Sequence, residues 1–254
     1  MVKILAITNQ KGGVGKTTTS INLAASLAAS GRRVLLVDLD PQGNATMGSG
    51  VDKNALSQTI YHVLLGVQSI TEVRVVATNG KYDLLPANRN LAGAEVEMVD
   101  LSERESRLKS ALQNVINEYD YILMDCPPAL NLLTLNGLCT AHAVMIPMQC
   151  EYFALEGLSD LVNTIKKVRA NFNPALRIEG LLRTMFDPRN ILSQQVSDQL
   201  QQHFGDKVYR TAIPRNVRLA EAPGFGKPAL YYDRESKGAQ AYLALAKEIL
   251  TAAV

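Results

Sequence analysis

A chain of 254 residues, 47% of them hydrophobic, can bury a sizeable core, and the simplest expectation is one α/β domain spanning residues 1 to 254. No uncharged apolar run approaches the ~18 residues of a membrane span, and Met1-Val2-Lys3 runs straight into a strand instead of a secretory leader, so a soluble, cytoplasmic protein without a membrane partner is expected. The net charge of +2 hides an uneven split, since Lys166 to Lys237 holds 13 Lys/Arg against 7 Asp/Glu, a balance of +6 that leaves −4 for the rest.

In chain order, Val2 to Thr8 is an apolar run that reads as a buried strand, and Thr17 to Ser30 has the character of a helix stopping at Gly31. Between them lies Lys11-Gly12-Gly13-Val14-Gly15-Lys16-Thr17-Thr18. A strand that turns through glycines into a helix leaves backbone N–H groups converging beside the positive end of the helix dipole. Gly12, Gly13 and Gly15 admit an anion without a Cβ in the way. Lys16 is placed to neutralise β- and γ-phosphates, and the Thr17 hydroxyl to ligate Mg²⁺. The match to G-x-x-x-x-G-K-[ST] is incomplete, because Gln10 stands at the first glycine and is followed by a second lysine, Lys11.

Arg33 to Asp38 is a second apolar strand, with Asp38 and Asp40 at its carboxyl end. The polar stretch from Gly43 to Val51 reads as a mobile loop, Ser57 to Leu65 as a short helix and Tyr82 to Pro86 as a strand. Ser102 and Glu105 have capping-box spacing for a helix running to about Asn117. Tyr119 to Asp125 is an apolar strand ending in an acid, which upstream glycines and lysine turn into the second half of a nucleotide–Mg²⁺ site. Further strands are expected at Ala143 to Met148, Ile178 to Arg183 and Val208 to Ile213. Helices are expected at Leu155 to Asn171, Asn190 to Phe204 and Ser236 to Ala252. The alternation implies an α/β fold, a P-loop NTPase with a mostly parallel twisted sheet and helices on both faces. Cys126, Cys139 and Cys150 are odd in number and lack C-x-x-C spacing, so they read as reduced core residues.

Five segments carry a resemblance to the ParA/Soj chromosome- and plasmid-partition ATPases of the deviant Walker-A (MinD/ParA) group. They are residues 11 to 18, Asp-Leu-Asp-Pro-Gln-Gly-Asn at 38 to 44, Asp-Cys-Pro-Pro at 125 to 128, Arg-Thr-Met-Phe-Asp at 183 to 187, and the run from Ile213 to Pro223. The resemblance covers essentially the whole chain and implies ATP/ADP and Mg²⁺ as cofactors. It implies that Lys11 reaches across a nucleotide-sandwich homodimer to the partner's phosphates, that Asp40 orients the attacking water, and that Thr17, Asp38 and Asp125 serve Mg²⁺. Arg183 to Met185 and Pro214 to Asn216, Arg215 included, resemble the walls of an adenine site. Adenine is also favoured because the guanine-reading Asn-Lys-x-Asp is missing, the nearest stretch, Asn79 to Asp83, having the wrong spacing.

The same resemblance implies non-specific binding of double-stranded DNA by the ATP dimer, which gives the basic C-terminal third a role, with Arg189, Arg215 and Arg218 as phosphate contacts. A ParB/Spo0J-like centromere-binding partner that stimulates hydrolysis, and a nucleoid-associated location, follow from it too. The main alternative is a MinD-type membrane-positioning ATPase, which would need a basic amphipathic C-terminal helix. Leu243 to Val254 offers only Lys247 and Glu248 as charges.

Overall fold

The computed structural model describes residues 2–252, and the apolar runs of the sequence form its central layer. The elements are β1 (Lys3–Ile7), α1 (Lys16–Ala29), β2 (Val34–Asp38), α2 (Asn44–Gly48), α3 (Ile60–Leu65), α4 (Ile70–Val73), β3 (Val75–Ala77), β4 (Tyr82–Leu85), α5 (Leu91–Glu97), α6 (Arg107–Leu112), β5 (Tyr121–Asp125), α7 (Leu132–Thr140), β6 (Ala143–Gln149), α8 (Ala154–Asn171), β7 (Arg177–Thr184), α9 (Ile191–Phe204), α10 (Val217–Glu221), α11 (Ala229–Tyr232) and α12 (Lys237–Thr251). Seven strands make one sheet in the order β3-β4-β2-β5-β1-β6-β7, parallel throughout except where β3 meets β4. Alternate side chains along each strand feed two cores, as a side-chain period of two requires. Ile4, Ala6, Val37 and Met124 lie in one with residues of α3 and α5 to α9, and Leu5, Ile7, Leu36 and Leu123 lie in the other beneath α1 and α12. Strands buried on both faces explain why β1, β2 and β5 read as unbroken apolar runs.

Register levels the strand ends. Ile7 and Asp38 both pair with Asp125, so the carboxyl ends of β1, β2 and β5 open onto one crevice, where open α/β sheets bind ligands.

Three local expectations are corrected. The stretch from Gly43 to Val51 is not a loop, because Asp38 accepts hydrogen bonds from both the amide and the hydroxyl of Thr46 and thereby fixes α2. The helix expected from Ser102 starts only at Arg107: Glu103 adopts a left-handed φ of 52°, which no helix tolerates, and Ser106 takes the cap position. Val208 to Ile213 runs beside β7 without a ladder, joined by the amide bonds Tyr209 to Leu181 and Ile213 to Arg183. The Arg183 guanidinium donates to the carbonyls of Tyr209 and Arg210, which a further strand would otherwise have occupied.

Candidate nucleotide site

Beyond β1 the chain turns through Gly13 (φ 76°) and Gly15 (φ 88°), left-handed conformations that only glycine adopts freely, and enters α1. A Cβ placed on Gly12 or Gly13 would meet no heavy atom within 4 Å, so the loop borders open space. Gly15 caps α1 without a side-chain acceptor, which leaves first-turn N–H groups to an anion. Lys16 is 7% exposed, and its Nζ folds back to donate to the Lys11 carbonyl at 2.9 Å. Burial pushes its pKa down, while the charges of Asp125 and Asp40 push it back up.

Three carboxylates lie beside the loop. Asp125 accepts from Thr17 Oγ1 at 2.7 Å and Ser20 Oγ at 2.9 Å, both from the first turns of α1. Asp38 is taken up by Thr46 and by the Asp40 amide at 3.1 Å. Both acids are buried on adjacent strands, and burial pushes their pKa values up; the proximity of Asp38 raises Asp125 further. Asp40 is half-buried on the cleft wall, its carboxylate accepting from the Gln42 amide at 2.9 Å.

These groups border a cleft of about 460 Å³. The glycines, Lys16, Thr17, Thr18 and Asp40 form one side, and Met185, Pro214, Arg215 and Asn216 the other. Met185 holds a left-handed φ of 49°, an unusual conformation for a non-glycine residue, at the point where β7 turns into this wall.

The placement of the remaining expected residues is uneven. Val14 is buried behind the loop, and Asp38 and Asp125 lie beneath the lining with Thr17 between Asp125 and the cleft. Arg183, expected in the adenine wall, is turned away: its guanidinium is spent on Ser197 Oγ and the carbonyls of Tyr209 and Arg210, over the ring of Phe186. Lys11 is also outside its own cleft, with Nζ 2.5 Å from Glu151 and half its side chain in solvent. Arg189 pairs with Asp187, and Arg218 with Glu221 and Asp233, whereas Arg215 has no ion pair among the described residues. Thr184 and Leu219, inside the matched runs at 183 to 187 and 213 to 223, also line the cleft, and sequence reasoning missed Tyr242 on the cleft and Ser20 beneath it. No motif marks them, since each reaches the site only through the fold.

An all-oxygen set of a hydroxyl and two carboxylates fits a hard divalent cation, and burial of two acids on neighbouring strands leaves negative charge that such a cation would offset. Among the described residues no cluster of three His, Cys, Asp or Glu could hold a metal alone, so phosphate oxygens would have to complete the site.

A glycine-rich anion cradle at the end of an interior strand of a mostly parallel sheet, with buried carboxylates at the ends of the next two strands, β5 and β2, defines a P-loop NTPase. A family model described as an AAA domain matches residues 2–178. The sporulation initiation inhibitor protein Soj of Bacillus subtilis is 55% identical over 249 residues, 98% of each chain. The chromosome partitioning protein ParA of Caulobacter vibrioides is 50% identical over 98% of this chain and 94% of its own. Among solved structures, cobyrinic acid a,c-diamide synthase from Mycobacterium smegmatis, with ADP and magnesium bound, superposes with a TM-score of 0.87 at 40% identity, covering 98% of this chain and 94% of its own. The septum site-determining protein MinD of Pyrococcus horikoshii, complexed with Mg-ADP, gives 0.80 at 27% identity, covering 98% and 96%. The chain belongs to the ParA/Soj family of chromosome-partitioning ATPases.

Proposed function

We propose that the chain is an ATP-driven DNA-partitioning switch, in which Mg-ATP binding in the cleft joins two subunits face to face and hydrolysis to ADP and phosphate separates them. The observation that carries this proposal is the position of Lys11. Lys16 already serves the phosphates from within, while Lys11 extends from the loop into solvent beside Glu151. An exposed pair of this kind contributes ~1 kcal/mol at most and is readily exchanged for phosphate. Across a subunit interface the same ammonium would be desolvated and paired only when nucleotide is present in the other subunit, which makes dimerisation depend on ATP.

Bound Mg²⁺ would supply charge neutralisation on the phosphates, with Thr17 as its ligand and Asp38 and Asp125 supporting it. The chain's own groups do the rest. The loop amides and Lys16 hold the phosphates, Asp40 orients water, and Met185, Pro214 and Asn216 flank the base. Among the described residues no strong base lines the cleft, so intrinsic hydrolysis is slow and a ParB-like centromere-binding partner accelerates it.

The ATP dimer would bind duplex DNA without sequence preference through Arg189, Arg215 and Arg218, and so associate with the nucleoid. The local pairs of Arg189 and Arg218 are exposed and therefore exchangeable for phosphate. Membrane attachment in the MinD manner would need a helix with a free apolar face. Among the described residues no helix is long and apolar enough to cross a membrane. The apolar face of α12 is already used in the core by Tyr242, Leu245, Ala246 and Ile249.

Lys11→Ala tests the cross-subunit role. Calorimetry should find Mg-ADP binding within about twofold of the unsubstituted protein, as a role confined to the interface requires, and light scattering should find a monomer in ATP. A Lys11→Ala protein that still dimerises with ATP would refute the proposal.

A further inference from the structure

Thr184, at the end of the edge strand β7, donates its hydroxyl to the Val14 carbonyl at 2.7 Å. Both residues are almost fully buried, at 3% and 1% exposure. The contact joins segments 170 residues apart and is the point where the far wall of the cleft grips the phosphate loop. We infer that Thr184 is a positioning residue for phosphate binding: by holding the Val14 carbonyl it orients the Val14–Gly15 peptide so that the Gly15 N–H faces the anion.

Peptide planarity carries the step. In a trans peptide the carbonyl of one residue and the N–H of the next point in opposite directions, so fixing one fixes the other. With Val14 O drawn toward β7, the Gly15 N–H is turned to the opposite side, away from β7. Among the described residues that N–H has no protein acceptor, as expected of a group reserved for a ligand. Rotation of the peptide would strand the Val14 carbonyl, buried and unpaired, so the hydroxyl excludes the alternative orientation as well as favouring the observed one. Gly15 is needed for its φ of 88° and not for space, because a Cβ there would lie 3.7 Å from Thr184, an ordinary contact. The threonine thus pre-organises a backbone donor through the Val14 carbonyl.

The inference rests on the nucleotide site proposed above, and its test separates the two. Thr184→Val keeps shape and removes the donor, Thr184→Ala removes it without added bulk, and Thr184→Ser keeps the hydroxyl. Each full-length variant is titrated with Mg-ADP and with pyrophosphate, assayed for ATP hydrolysis, and melted without nucleotide. The Val and Ala variants should bind Mg-ADP and pyrophosphate about three- to tenfold more weakly, the worth of one hydrogen bond. KM should rise by the same factor with kcat within about twofold, because the donor serves ground and transition states alike. Thr184→Ser should restore binding. A purely structural role would lower the melting temperature and leave the affinity unchanged; that result, or a Ser variant as defective as Val, overturns the inference. Failure of the unsubstituted protein to bind Mg-ADP would instead overturn the nucleotide site itself, and this inference with it.

Discussion

Asp38 and Asp125 face each other across β2 and β5 with almost no access to water, and each accepts hydrogen bonds from hydroxyls. Burial raises both pKa values above the ordinary carboxylate range near pH 4. Above that pH the unfolded chain has released protons that the native pair retains, so the native state binds more protons and its stability falls as pH rises through the raised values. Thermal unfolding in EDTA should therefore show the nucleotide-free protein losing stability from about pH 4.5 toward 8. Asp125→Asn should flatten the decline; a pH slope unchanged by that substitution would remove the pair as its cause. Residues of the site were legible where they are contiguous, as with Gly12 to Thr18, or where an apolar strand delivers an acid, as with Asp125. Thr184 was not legible as a partner of the phosphate loop, because only the sheet order β1-β6-β7 brings it to Val14. Arg183 was misassigned for the complementary reason. A sequence pattern gives the residue but not the direction of its side chain, and the irregular segment after Val208 claims this one.

Among elements, the long apolar or amphipathic ones were readable, and the short ones were decided by tertiary contact. β1, β2, β5, α8 and α12 appear within a residue or two of their expected bounds. α2 shows no helical periodicity in a polar run, and it exists because Thr46 is bound to Asp38 and Gly48 packs against Ile21 and Pro223. α7 is apolar nearly all round, so no stripe marks it, although Asn131 caps it through the Thr134 amide. The segment carrying Arg215 and Arg218 docks on the end of α2 through two left-handed glycines, Gly50 (φ 85°) and Gly226 (φ 60°). A Cβ on Gly226 would stand 2.6 Å from the Gly50 Cα, whereas one on Gly31 (φ 79°) would meet nothing. Gly31→Ala should cost about 1 kcal/mol, the strain of the left-handed conformation alone. Gly226→Ala adds a backbone clash and should cost about 3 kcal/mol. Urea denaturation of the two variants distinguishes these values, and equal losses would show that the glycine contact is loose.

At the scale of the whole molecule, sheet, cradle and basic third form one arrangement. The carboxyl ends of β1, β2 and β5 supply the phosphate site, β7 and the following irregular segment supply the opposite wall, and α10 carries that wall into the basic region with Arg218. The fold class was legible because strand and helix periodicities alternate along the chain, and the uneven charge was legible by counting. What residues cluster on the face that DNA would meet was not, since ion pairing of Arg189 and Arg218 depends on the neighbours the fold provides. Two subunits joined through ATP would double the phosphates neutralised, and since log affinity falls by about 0.9 per contact per log unit of salt, the proposed dimer would bind DNA more tightly and with a steeper salt dependence than the monomer. The central claim is that ATP makes a dimer and the dimer binds DNA. Size-exclusion chromatography of Asp40→Ala, expected to hydrolyse ATP slowly, with ATP or ADP and with or without non-specific duplex, tests it most directly. ATP alone should give a dimer, which should co-elute with the duplex at low salt and release it as salt rises, while ADP gives a monomer that does neither. A monomer in ATP, or an ATP dimer that leaves the duplex unbound at low salt, would contradict the account.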